Sequence, residues 1–257
     1  PFLFSNRVPF DSRIRYVDPD HYFSMRVAII SDIHSNLEAL QSVLFAIDDL
    51  RPDSIYCLGD IVGYGPYPNE CVALVRERCA ASVKGNHDSG VLGETPLAYF
   101  NQYGRRAVEW TKDRITSGNL AYLERLPLTQ VIDDITLAHA SPMKPEQWNY
   151  VFAWPEAKKA FRAFATTLCF IGHTHVPVMV GEDSKINIFR KNCRHLINIG
   201  SVGQPRDGNP RASFCLLDTE AWTCEIHRVE YNIERTAQAI LDAHLPEFLA
   251  RRLFQGI

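Results

Sequence analysis

Short apolar runs that stop abruptly at a polar loop, each followed by residues at helical spacing, set the rhythm of the first third of this chain. Residues 26–31 form an apolar run without alternation, which predicts a strand buried on both faces. Leu37, Leu40, Val43, Leu44, Ile47 and Leu50 then keep helical spacing until Pro52, and Ser35 with Glu38 has the spacing of a capping box that would open this helix. Ser54 to Leu58 predicts a second strand, ending at Gly59-Asp60, and Asn69 to Arg78 a second helix with Cys71, Val72, Leu74 and Val75 as its apolar face. Ala81 to Lys84 predicts a third strand, ending at Gly85-Asn86-His87-Asp88. Such a succession of strand and helix predicts a parallel α/β sheet, whose ligand crevice lies outside the carboxyl ends of the strands.

The pattern then loosens. Pro96 to Trp110 predicts a helix with Tyr99, Phe100, Tyr103 and Trp110 turned into the core, and Leu120 to Leu126 predicts a short one. Thr129 to Ile132 and Ile135 to Ala138 flank Asp133-Asp134 as a hairpin or a turn into a strand, and the second segment ends at His139. Pro155 to Ala165 predicts a helix with Pro near its start, leading into the strand Leu168 to Ile171 and its terminus Gly172-His173-Thr174-His175. Further strands are expected at Ile186 to Phe189, Leu196 to Ile199, Ser213 to Leu217 and Thr223 to Val229, followed by amphipathic helices at Ile233 to Ala243 and Glu247 to Leu253. One domain over residues 25–257 is expected. Residues 1–24 carry no period and precede Met25; they are either a surface extension or a leader ahead of a natural start at Met25.

Composition narrows the partners. A formal charge of −3 and a pI near 6.3 give no electrostatic drive toward a nucleic-acid backbone or an anionic membrane, so any phosphate specificity has to be local. No apolar run approaches the roughly 18–20 residues that span a bilayer, and the N-terminus lacks a signal-peptide pattern. The seven cysteines are scattered without a CxxC, and Cys57, Cys169 and Cys215 fall inside apolar runs, which points to free core thiols and a cytoplasmic location.

The strand ends carry the chemistry. Asp32, His34, Asp60, Asn86, His139, His173 and His175 all follow apolar runs, and with His87 these positions hold five of the nine histidines. His21, His195, His227 and His244 have no such setting. Singly, each candidate has an ordinary explanation as a turn or cap residue; their joint occurrence does not. Imidazole, carboxylate and amide oxygen in this number, without thiolates, exceed one tetrahedral zinc site and suit two adjacent divalent ions sharing a carboxylate, with Mn, Fe, Zn, Co or Ni all acceptable. Two ions about 3.5–4 Å apart hold a water as hydroxide and clamp a phosphoryl group during in-line attack, which is hydrolysis of a phosphate ester.

These motifs resemble the calcineurin-like metallophosphoesterase superfamily: Asp32-Ile33-His34, Gly59-Asp60, Gly85-Asn86-His87-Asp88, His139 and Gly172-His173-Thr174-His175 occur in its order. The resemblance covers roughly residues 25 to 230 and implies a four-layer α/β/β/α sandwich of two mixed sheets flanked by helices. It implies that Asp32, His34 and His175 bind one metal and Asn86, His139 and His173 the other, with Asp60 bridging. It makes His87 the general acid, oriented by Asp88. The Arg that protein serine/threonine phosphatases carry soon after the Gly-Asp motif is missing from residues 61–66, which argues against a phosphoprotein substrate. Residues 63–66 and 198–207 look instead like small bacterial and archaeal phosphodiesterases, some resembling diadenosine tetraphosphate hydrolases, which implies a small phosphate-ester or nucleotide substrate. Asn36, Tyr64 and Arg206 are the candidate substrate contacts, Arg206 being alternatively a loop residue paired with Asp207. A nuclease and a non-catalytic scaffold of the same fold are the competing readings; the acidic balance opposes the first and the intact ligand set the second.

Overall fold

A computed structural model of the protein describes residues 24–257, so the leader expected at residues 1–24 lies outside the described residues up to position 23. The chain opens with strand β1 (Arg26–Ile30), helix α1 (Leu37–Leu50), β2 (Ser54–Cys57), α2 (Pro68–Arg78), β3 (Ala81–Ser82) and α3 (Asn86–Leu92). Helices α4 (Gln102–Lys112) and α5 (Ser117–Glu124) follow, then the hairpin β4 (Thr129–Ile132) and β5 (Ile135–Ala138). Next come α6 (Trp154–Ala160), β6 (Leu168–Ile171), β7 (Val178–Gly181), β8 (His195–Asn198), β9 (Ala212–Asp218) and β10 (Thr223–Val229). Two further helices, α7 (Ile233–Asp242) and α8 (Glu247–Gln255), follow them.

The strands form two mixed five-stranded sheets, in the orders β10-β9-β1-β2-β3 and β4-β5-β6-β8-β7. β1, β2 and β3 run parallel in one sheet, and β5, β6 and β8 run parallel in the other. Strand alternation sorts the core. Val27, Ile29, Tyr56 and Leu58 of the first sheet meet Leu137, Phe170 and Ile197 of the second, while Ala28, Ile30 and Cys57 turn outward onto Ala39, Val43 and Val72 of the helices. On the far side, Cys169, Ile171 and Leu196 pack on Ala157 and Ala160 of α6. The result is the expected α/β/β/α layering, with each fully buried Ile, Leu or Phe contributing about 1.5–3 kcal/mol. Among the described residues no helix is long and apolar enough to cross a membrane.

Three local expectations are corrected. Helix α1 is capped by Asn36, whose Oδ1 accepts the Ala39 N–H at 3.1 Å, and not by Ser35, whose buried hydroxyl has no partner among the described residues. The aromatic helix expected over Pro96 to Trp110 is divided into a 3₁₀ turn, Leu97–Tyr99, and α4, because Asn101 accepts the Tyr103 and Gly104 N–H groups and starts a new helix. Trp110 is buried as expected, but Tyr99 is 81% exposed and outside the core. Ile186 to Phe189 forms no strand, only an isolated bridge from Ile186 to Val180; the Ile188 carbonyl meets the His195 side chain of β8 and not a strand backbone.

Candidate metal centre

The loops that leave β1, β2, β5 and β6 continue to pair beyond the strand ends. The Asp32 N–H donates to the Gly59 carbonyl at 3.0 Å, the His34 N–H to Asp60 at 2.9 Å, and the Gly172 N–H to His139 at 2.8 Å. Across the two sheets, the His173 N–H donates to Asp32 Oδ2 at 3.0 Å, and Ser31 Oγ donates to the same oxygen at 2.7 Å. Two glycines permit this crowding: a Cβ on Gly85 would lie 2.2 Å from Asp60 Oδ1, and one on Gly172 2.1 Å from Ser31 Oγ. Asp32, His34, Asp60, His173 and His175 all hold positive φ, between 50° and 66°. Left-handed backbone costs about 1–2 kcal/mol per non-glycine residue, and here it turns each side chain inward directly after its strand.

All seven predicted ligands converge. Asp32, His34 and His175 form one group and Asp60, His139 and His173 another, with ligand atoms in each within 4.8 Å of one another. Asn86 joins the second through its Oδ1, 3.2 Å from His139 Nε2. Asp60 Oδ2 lies 3.5 Å from His34 Nε2 and 3.3 Å from His139 Nε2, which places one carboxylate oxygen between the two groups. Three tautomers follow from the backbone. His34, His139 and His175 turn Nδ1 to the carbonyls of Val62, Leu58 and Gln204, so each aims Nε2 at the centre, where the neutral ring carries its lone pair. His34 Nε2 and His175 Nε2 face each other at 3.2 Å, as do His139 Nε2 and His173 Nδ1. Lone pairs so directed, beside two buried carboxylates, suit divalent cations.

The electrostatics agree. Burial alone would raise Asp32 and Asp60, but His175 beside Asp32 and His139 beside Asp60 outweigh it and hold both carboxyls well below their usual range. Burial would lower His139, yet Asp60 and Asp32 raise it to about 9. Burial lowers His34, His175 and His173, the last to about 3, so they stay neutral as metal-binding imidazoles must. Two carboxylates facing one imidazolium leave a negative field at the centre.

His87 stands beside the ligands. Its backbone N–H donates to Asp60 Oδ1 at 2.8 Å, and its ring is enclosed by Tyr64, His34 and Phe100 at centroid distances of 4.4, 4.8 and 5.0 Å. Nδ1 is buried against Gly63 without a partner among the described residues, which leaves Nε2 as the nitrogen through which the ring can act. Burial, with Asp60 opposing and Arg206 assisting, lowers the imidazole to about 4.

Two expectations change in kind. Asp88 does not touch the His87 ring: its carboxylate accepts the N–H groups of Ile61, Val62 and Gly85 at 2.9–3.1 Å, while burial and then Asp60 raise it to about 7. It therefore positions His87 only by pinning the loop between β2 and α2 to the start of α3. Asn36 is not open to a substrate either. Its amide caps α1, donates to the Gly203 carbonyl and accepts from Thr236 Oγ1.

Tyr64 stays beside the centre, its ring 4.6 Å from that of His34. Arg206 lies over Tyr64 at 5.8 Å, and Asp207, its expected partner, is paired with Arg228. Among the described residues the guanidinium donates only to Gln204 Oε1 and leaves a buried Nε without a partner. Thus the missing Arg after Gly59-Asp60 does not leave the site without a cation. Residues that pattern reasoning missed also border it: Tyr150 lies on His173, Trp148 approaches His139, and Arg252 of α8 lies within electrostatic range of Arg206 and Tyr64. Trp148 and Tyr150 sit in an irregular loop, and Arg252 on a distant amphipathic helix, so no periodicity marked them.

A model of the calcineurin-like phosphoesterase superfamily domain matches residues 25–221. An uncharacterized protein of Methanocaldococcus jannaschii is 45% identical over 242 residues, covering 90% of this chain and 98% of that protein. A symmetrical bis(5'-nucleosyl)-tetraphosphatase of Erwinia tasmaniensis is 31% identical over 140 residues, covering 50% of this chain and 48% of that protein. Among solved structures, a metallophosphoesterase from Sphaerobacter thermophilus is similar with a TM-score of 0.82 at 44% identity, covering 91% of this chain and 100% of that one.

Proposed function

Because the chain belongs to the calcineurin-like phosphoesterase superfamily and is a hydrolase of that family, we propose that it cleaves phosphodiester or nucleotide pyrophosphate bonds in small substrates. The observation that carries this reading is the pair of ligand groups with one Asp60 oxygen between them. Asp32, His34 and His175 would hold one divalent ion, Asn86, His139 and His173 the other, and Asp60 both. When bound, such ions supply Lewis acidity to the phosphoryl oxygens and lower the pKa of water to that of a usable nucleophile.

The protein's own groups do the rest. The carbonyls of Leu58, Val62 and Gln204 fix three imidazoles in the tautomer that offers Nε2, so little reorganisation accompanies binding. His87, held by Asp60 through its backbone N–H, presents Nε2 to the leaving oxygen as proton donor; an arriving phosphate anion favours the protonated ring. Arg206 supplies charge to phosphoryl oxygens outside the centre, and Tyr64 carries it there by stacking. The partial likeness to symmetrical tetraphosphatases favours diesters and nucleotide pyrophosphates over phosphopeptides.

The test is hydrolysis after metal stripping and reconstitution with Mn²⁺ or Ni²⁺, comparing an aryl phosphodiester, an aryl phosphomonoester, cyclic nucleotides, dinucleoside polyphosphates and a phosphopeptide. Metal-dependent activity confined to diesters or dinucleoside polyphosphates is expected. Preference for the phosphopeptide overturns the substrate assignment, and inactivity with every metal overturns the reaction.

A further inference from the structure

The loop between β5 and α6 carries aromatic side chains that metal binding does not require. Tyr150 lies flat on His173, with ring centroids 4.0 Å apart and planes at 20°. Phe152 lies flat on Tyr150 in turn, at 5.0 Å and 13°. Three rings therefore run as one stack from the ligand cluster toward the surface. The stack ends at Phe152, which is 69% exposed although its ring has no polar handle to keep it there.

Phe152 does not end in open solvent alone. With Trp154, Val178 and Ile186 it lines a small apolar cavity of about 70 Å³, in which Ser184 and Asn198 are the polar wall residues. Trp154 and Ile186, 36% and 60% exposed, stand at this cavity as well. Its mostly apolar walls, continuous with the exposed flat face of Phe152, suit the edge of a planar heteroaromatic ring stacked on that face. The Arg206 guanidinium lies within electrostatic range of Tyr150, the middle ring of the stack.

We infer that the Tyr150–Phe152 stack and the adjoining cavity form a nucleobase subsite that selects phosphate esters carrying a purine or pyrimidine. The inference rests on the phosphoesterase reading for the placement of the phosphate end, and continuity with His173 is what assigns the cavity to the substrate. Base–aromatic stacking tolerates any base because every base has a π face, so the subsite distinguishes nucleotides from other esters more than one base from another.

The experiment uses two probes that resist hydrolysis, adenosine 5'-(α,β-methylene)diphosphate and methylenediphosphonate, titrated calorimetrically into the Mn²⁺-loaded full chain. The adenosyl probe is expected to bind at least about fivefold more tightly, the lower end for one stacked base, and Phe152→Leu is expected to remove that advantage. Phe152 is exposed, so this variant keeps the fold and the apolar bulk while losing the flat ring face. Equal affinities in the wild type, or an advantage that survives Phe152→Leu, overturn the subsite. So does concentration-dependent self-association that Ile186→Asp abolishes, with no preference for the adenosyl probe; this would assign the cavity to a second copy. Hydrolysis of the substrate panel with no base preference leaves the reaction standing without the subsite, whereas base-dependent binding without any hydrolysis does the reverse.

Discussion

Asp60 and His139 are each 1% exposed, whereas Tyr150 and Phe152, stacked outward from the same cluster, are 45% and 69% exposed. The inner residues are held several times over. Asp60 accepts the His87 N–H while meeting two imidazoles, and His139 is fixed by the Leu58 carbonyl on one ring nitrogen and the ligand cluster on the other. The outer aromatics are held mainly by one another. Burial with several partners for each of these residues builds a centre whose geometry is preorganised for one chemistry; exposure of flat and cationic groups around it leaves the choice of substrate to the rim.

Substitutions can break this comparison. The largest effect is expected from Asp60→Ala, which removes the oxygen between both ligand groups. Metal content by elemental analysis should fall at both positions, and turnover by at least about a thousandfold, the equivalent of several kcal/mol of electrostatic stabilisation. Two retained metals would refute the bridging role. His87→Ala should leave the metals in place and lower kcat by about 10²–10⁴-fold, as loss of a general acid does; an unchanged kcat removes His87 from the mechanism.

Rim changes should act on binding. Arg206→Ala is expected to raise KM for a dinucleoside polyphosphate by about tenfold or more while sparing kcat, because a charged hydrogen bond outside the reacting centre is lost. A fall in kcat with KM unchanged would move Arg206 from the rim into the transition state. The smallest effect belongs to Tyr99→Ser. An 81% exposed side chain should change unfolding free energy by no more than about 0.5 kcal/mol in urea titration, and a larger loss would return Tyr99 to the core.

Much of this was legible from pattern because it is local. An apolar run followed by Gly and a metal-ligand side chain marks a strand end wherever it occurs, and the succession of strand and helix implies a parallel sheet with its crevice at those ends. The residue types that end the strands and the α/β class can accordingly be read from residues 25–175 alone. Exposed rings and single cations carry no such period: nothing in the sequence marks Tyr150 or Arg252, and helical spacing places the exposed Tyr99 in the core.

Only the tertiary structure decided what each polar group could spend its lone pairs and protons on. The Asn36 amide is consumed by the α1 cap, the Gly203 carbonyl and Thr236, and the Asp88 carboxylate by three backbone N–H groups, because both are buried where every hydrogen-bonding capacity must be met nearby. The Asp60 oxygen lies between His34 and His139 because two sheets, contributing one histidine each, face one another across a shared apolar layer. Residue order sets which side chains end the strands; the stacking of the sheets sets which of those ends meet.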